Sequence, residues 1–230
     1  ADITSSNPRT VLQVLATGGA INVDNHIQAG QVVMEAATIS VRGSIGTTGG
    51  AGSAIVLLGG QINILGGLGS NGQTTSASSS ANATGSNRRR RRDADGGLGS
   101  DDALYTSQGG SILIASTGDI LIGSQATLTA NGLDGGVITI VSQSGTVTQQ
   151  GVVDAVGTQG QGGQVILAGQ VATVLSGALM SVDGANAGGS LQIGIAQNVG
   201  SGNTLAPPAI GQSLAYFDHQ VFSIASRLTT

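Results

Sequence analysis

The sequence predicts an all-β chain: a right-handed parallel β-helix, or solenoid, of about seven coils with one long inserted loop and a C-terminal cap. Three observations predict it. First, glycine pairs open four related stretches, "GGSILIASTGDILIGSQATLTANGLD" at Gly109, "GGVITIVSQSGTVTQQGVVDAVGTQGQ" at Gly135, "GGQVILAGQVATVLSGALMSVDGANA" at Gly162 and "GGSLQIGIAQ" at Gly188. The interval is too short for a domain and suits one winding of a repeat architecture. Second, apolar and polar residues alternate inside each stretch, the period of strands that bury one face. Third, the chain is 39% hydrophobic, yet of 230 residues 40 are Gly, two Tyr, two Phe and none Trp. An aliphatic core stacked from small repeats fits that composition, and a wholly disordered chain does not.

The alternation assigns an interior. In the stretch from Gly109, Ile112, Ile114, Ile120, Ile122, Ala126, Leu128 and Ala130 point inward, with Thr127 and Thr129 outward. In the stretch from Gly162, Val165, Leu167, Ala172, Val174, Ala178, Met180 and Val182 take the same places. Three short strands per winding give a roughly triangular section. Earlier windings are shorter: "VLQVLATGGAINVDNHIQAG" from Val11, "QVVMEAATISVRGSIGTTGG" from Gln31 and "SAIVLLGGQINILGGLGSNG" from Ser53. Right-handed crossovers are the rule for parallel strands, and the stack measures on the order of 30 to 35 Å.

Corners are expected at Asn71-Gly72, Asn131-Gly132 and Asp183-Gly184, where tight turns would use the positive φ that Asn, Asp and Gly tolerate. Asp183 is read as such a corner residue. After the first of these corners the regular pattern is interrupted by "QTTSASSSANATGSNRRRRRDADGGLGSDDALYTS", so residues 1–206 are taken as the coil region with a flexible insertion at 73–107. "GGLGS" occurs both at Gly66 and at Gly96, the trace of a local duplication. Residues 207–230 form a separate capping or docking segment. There Leu214, Phe217, Val221, Ile224 and Leu228 are spaced by three and four, which predicts a helix covering the last coil or docking another subunit.

The formal charge is −4, and the insertion holds five of the eight basic residues as Arg88, Arg89, Arg90, Arg91 and Arg92. The remainder is acidic, which excludes a nucleic-acid footprint and any specific nucleic-acid partner. With no cysteine there is no disulfide framework or thiolate metal site. "ADITSSNPRT" has neither the charged nor the apolar region of a signal peptide and does not begin with Met, so the chain reads as a mature or excised segment. No apolar run is long enough for a transmembrane helix.

The turns "GGQVILAG" and "GGSILIASTGDILIG" resemble the filamentous-haemagglutinin-like exoproteins of two-partner secretion, over most of residues 11–200. The resemblance implies an extracellular or bacterial cell-surface β-helix, exported through an outer-membrane transporter and serving as an adhesin or matrix-building fibre. Only Asn7-Pro8 stands where that family carries NPNG or NPNL, and family members are longer, so this is either a piece of a larger rod or a compact relative assembling from many copies.

Candidate chemistry is sparse. Parallel β-helices also host polysaccharide-degrading enzymes, which need paired carboxylates on one face. Counted from the second glycine of each winding, Asp119, Asp134, Asp154 and Asp183 fall at different offsets, so no ladder of carboxylates is expected. His26 and His219 have no partner at metal-ligand spacing. "GLGSNG" at Gly67 matches a dinucleotide fingerprint in form, but no helix follows. Asp93, Asp95, Asp101 and Asp102 are candidate oxygen ligands for Ca²⁺, opposed by the adjacent arginines. Those arginines are alternatively a solvated loop, a protease-sensitive site near Arg92, or a grip for an anionic polysaccharide or matrix. Asn82-Ala83-Thr84 matches a glycosylation acceptor.

The sequence-based expectation is therefore a non-enzymatic structural protein with no cofactor, a stiff adhesive rod. Two alternatives stand beside it: a self-assembling extracellular filament subunit whose partners are copies of itself, and a glycan-cleaving enzyme acting on an acidic polysaccharide through Asp154 or Asp183.

Overall fold

The computed structural model describes residues 2–47, 53–72, 108–195, 222–224 and 227–229. All its regular elements are strands. In chain order these are β1 (Ile3–Thr4), β2 (Val11–Val23), β3 (His26–Ala29), β4 (Gln31–Val41), β5 (Ser44–Thr47), β6 (Ala54–Ile64), β7 (Gly67–Gly69), β8 (Ser111–Ser116), β9 (Ile120–Ile122) and β10 (Thr127–Thr129). They continue with β11 (Val137–Ser142), β12 (Thr146–Gln149), β13 (Val152–Asp154), β14 (Gln164–Gly169), β15 (Val171–Val174), β16 (Leu179–Ser181), β17 (Ser190–Ile195), β18 (Phe222–Ile224) and β19 (Arg227–Thr229).

Every pairing between them is parallel. One sheet has eight strands in the order β1-β3-β5-β7-β10-β13-β16-β19; the other has eleven, with β17-β14-β11-β8-β6-β9-β12-β15-β18 as its main path and β2 and β4 continuing it beside β6. The two sheets face one another across a single apolar core, to which β4, β6, β8, β11 and β14 contribute from one side and β3, β5, β7, β10, β13 and β16 from the other. β1 and β19 stand at opposite ends of the eight-stranded sheet.

Alternation explains which residues enter that core. Ile112, Ile138 and Val165 are register partners in β8, β11 and β14, as are Ile114, Ile140 and Leu167, and all six are buried. Stacking like on like fills the interior with branched aliphatics in contact from layer to layer, the densest arrangement a parallel wall offers. The glycine pairs have a packing cause. A Cβ on Gly136 would run into the Gly110 carbonyl, one on Gly163 into that of Gly136, and one on Gly189 into that of Gly163. The backbones approach too closely at this corner for any side chain.

These observations correct the fold class expected from sequence. The three-faced β-helix becomes two sheets, because β6 pairs with both β8 and β9 and so joins two expected faces into one bent wall. β2 and β4 likewise run through the bend as single strands. The eight-stranded sheet gives eight layers where about seven coils were expected. No helical cap is present among the described residues: Phe222–Ile224 and Arg227–Thr229 pair in parallel with β15 and β16. The corners are corrected too, since among the described residues positive φ occurs only at Gly18 and Gly177. Asn71 and Asn131 instead serve as hydrogen-bonding rungs: Asn71 Oδ1 accepts from the Asn131 N–H at 2.8 Å, and Asn131 Oδ1 accepts from the Val156 N–H at 2.7 Å.

Candidate active site

The outward face of the eight-stranded sheet carries two columns, polar over the layers nearer the chain start. Register aligns Gln28, Gly46, Gly69, Thr129, Asp154 and Ser181 in one, and His26, Ser44, Gly67, Thr127, Val152 and Leu179 in the other. Each position alternates with an inward residue, Ile45, Leu68, Leu128, Val153 or Met180, so burial of the aliphatic partner fixes which way the polar one points.

At the far end of the first column Asp154 lies within electrostatic reach of Asp183. Asp154 closes β13 and is half-buried, and one of its oxygens, Oδ1, is shielded from solvent without a hydrogen-bond partner. Its register partner Ser181 donates from Oγ to Asp183 Oδ2 at 2.8 Å. Burial, and after it the negative charge of Asp183, push the Asp154 carboxyl above its ordinary value of 3.8. The two acids thus occupy different settings: one desolvated and short of donors, the other exposed and fixed by a hydroxyl. Environments that separate two neighbouring carboxyls in this way create an acid and a base from the same chemistry.

Nearer the chain start the same face is hollowed. An open concavity of about 340 Å³ is bordered by His26, Gln28, Ser44, Asn71, Thr127 and Thr129 and floored by glycine. The His26 ring is oriented by Nδ1 against Ser44 Oγ at 2.7 Å and Nε2 against Gln28 Oε1 at 3.3 Å. Asn71 Nδ2 donates to Thr129 Oγ1 at 2.9 Å, tying the hollow to the strand beside Asp154. A second concavity of about 400 Å³, bordered by Glu35, Thr117 and Gln143, lies on the other sheet and holds no paired acids.

No protein-family model, curated protein or solved structure matches this chain. The resemblance to filamentous-haemagglutinin-like exoproteins is corrected by the sheets themselves, which join into an eight-stranded and an eleven-stranded all-parallel sheet in place of the open three-faced coil that the resemblance implied. Its motifs, glycine pairs followed by alternating aliphatics, are what any closely stacked parallel wall demands, so they carry no family information.

Other sequence expectations fare differently. Asp119 and Asp134 act locally, their Oδ1 atoms accepting from the Thr146 and Gln161 N–H groups at 2.8 and 2.9 Å. Asp183, read as a corner residue, is half of the acid pair. Arg88, Arg89, Arg90, Arg91 and Arg92, the candidate calcium ligands Asp93, Asp95, Asp101 and Asp102, and His219 lie outside the described residues. So do the glycosylation triplet and the insertion and tail boundaries. Among the described residues no group of three or more His, Asp or Glu is placed to hold a metal, and no helix is long and apolar enough to cross a membrane.

The expectation of a non-enzymatic adhesive rod is corrected by the acid pair. It rested on the absence of adjoining carboxylates, inferred by requiring equal offsets in successive windings. Register sets Asp154 opposite Ser181, and Asp183 follows two residues beyond the end of that strand, so equal offsets were too strict a requirement. Polar burial points the same way, since Thr47 Oγ1 donates to Ser70 Oγ at 2.9 Å and the Ser53 and Ser70 hydroxyls lie 3.0 Å apart inside the wall.

Proposed function

We propose that the chain is a glycan-cleaving enzyme whose acid and base are Asp154 and Asp183. The observation that carries this reading is the half-buried Asp154 carboxyl, raised above its ordinary value, with a shielded unpartnered oxygen beside a second carboxylate. A carboxyl whose protonated form is favoured by burial suits the role of protonating the leaving oxygen of a glycosidic bond. In this reaction Asp154 gives its proton to the bridging oxygen as the bond from that oxygen to the anomeric carbon breaks. Asp183, oriented by the Ser181 hydroxyl, takes a proton from the water whose oxygen forms the new bond. The products are two shorter chains, and one water is consumed. The activity belongs outside the cell or at its surface, where polymeric glycans are encountered.

Reducing-end release from a panel of polysaccharides tests the reading. The wild-type chain is expected to release ends from at least one of them. Asp154→Asn and Asp183→Asn should each lower that rate by about 10²-fold or more, the usual share of a general acid or base. Activity undiminished in both variants contradicts it.

A further inference from the structure

Most glycines among the described residues are required by backbones that pass too close for a Cβ, and Gly46 and Gly67 are among those that are not. A Cβ on Gly46 would sit 3.9 Å from His26 Cε1 and 4.0 Å from the Ile27 carbonyl, and one on Gly67 would sit 3.6 Å from Ser44 Cβ and 4.0 Å from the Thr127 carbonyl. Those are ordinary contacts. Neither residue has positive φ. Gly46 lies within β5 and Gly67 opens β7, positions where glycine weakens the element and, with no neighbouring backbone filling the space, leaves room for a ligand to approach. Together they floor the hollow beneath His26, Asn71 and Thr129, whose side chains offer donors and acceptors at its rim.

The geometry points to a binding track for a neutral, hydroxyl-rich polysaccharide, running along the layers from the hollow over Gly46 and Gly67 to the acid pair. This inference rests on the proposed glycan cleavage for its end point, and on the glycines for its course. From Gln28 to Asp154 the track crosses four layer spacings, about 19 Å at 4.8 Å each, enough for several sugar rings in an extended chain. Its charge bears on the polymer. Asp2 accepts from the His26 N–H at 3.2 Å, so the titratable groups along the track whose side chains are described are Asp2, His26, Asp154 and Asp183. With Asp154 serving as the proton donor, the carboxylates of Asp2 and Asp183 repel a polyanion, while hydroxyls and amides at the rim suit uncharged sugars.

Affinity electrophoresis through gels containing soluble neutral polysaccharides (a glucan, a mannan, a xylan) or acidic ones (alginate, polygalacturonate) tests the track directly. The wild-type chain is expected to be retarded by at least one neutral polymer and by neither acidic one. Gly67→Leu and Gly46→Leu, each filling the hollow without meeting backbone, should weaken that retardation at least tenfold, with circular dichroism confirming the fold. Thr117→Leu, on the other sheet, should leave it unchanged. Wild-type-like retardation of both glycine variants, retardation by the acidic polymers instead, or none by any neutral polymer would overturn the track. Retardation lost in the glycine variants while the wild type releases no reducing ends would retain the track and overturn the cleavage reading.

Discussion

Asp154 shows how one residue can couple stability and chemistry. Its folded-state carboxyl lies above the ordinary 3.8, so ionising it costs the fold, and that cost is absent at low pH where the group is neutral in both states. The stabilising contribution of the neutral acid is complete below about pH 4 and is lost as pH rises through the elevated folded value. Asp154→Asn should therefore melt at a higher temperature than the wild type near neutral pH, with the difference closing as the pH falls toward 4. A thermal melt series across pH reads this, and an equal difference at every pH would contradict it. The interior obeys simpler rules. Ile140 is completely buried between Ile114 and Leu167, and Ile140→Ala should cost about 2–5 kcal/mol in denaturant unfolding. The inward set was legible residue by residue in the alternation, since burial of one face leaves so direct an imprint. The acid pair was not, because pairing across strands depends on register, and a winding whose length varies hides register from simple counting.

At the scale of elements, glycine serves two purposes that the sequence does not distinguish. The column Gly110, Gly136, Gly163 and Gly189 is fixed by carbonyls of the adjacent layer, so Gly163→Ala should destabilise by more than about 1 kcal/mol. Gly67→Ala meets no backbone and narrows the unfolded ensemble, so it should be neutral or stabilise by about 0.4–1 kcal/mol. Equal effects at the two positions, measured by denaturant midpoint, would remove the distinction on which the binding track depends. The tail shows the converse ambiguity. Ile224 and Leu228 fit a helical spacing, yet Phe222 and Ile224 also alternate, and the edges of β15 and β16 offer backbone partners that a free helix lacks. Where a short apolar segment can satisfy either period, an unpaired sheet edge decides it. Composition did announce strands, but whether their faces join into two sheets or three depended on the continuity of β6 through its bend, for which no residue type is diagnostic.

Among the described residues each strand pairs in parallel with its neighbours in two sheets, so protection from solvent should vary from the paired middle to the open edges. β8, β11 and β14 are paired on both edges, whereas β2 pairs only with β4 and leaves Leu12, Val14 and Ala16 partly open. Hydrogen exchange should be slowest in β8, β11 and β14 and fastest in β1 and β2. Among the described residues, Arg42 and Asp24 meet at 3.1 Å with both side chains largely exposed, a pairing worth at most about 1 kcal/mol. The central claim is that this wall holds two carboxyls in one coupled site. Titration of the Asp154 side-chain carboxyl by ¹³C NMR, in the wild type and in Asp183→Asn, tests it most directly. The account predicts a midpoint above 3.8 that moves down, without reaching 3.8, when the Asp183 charge is removed. A midpoint at the ordinary value, unmoved by the substitution, would contradict it.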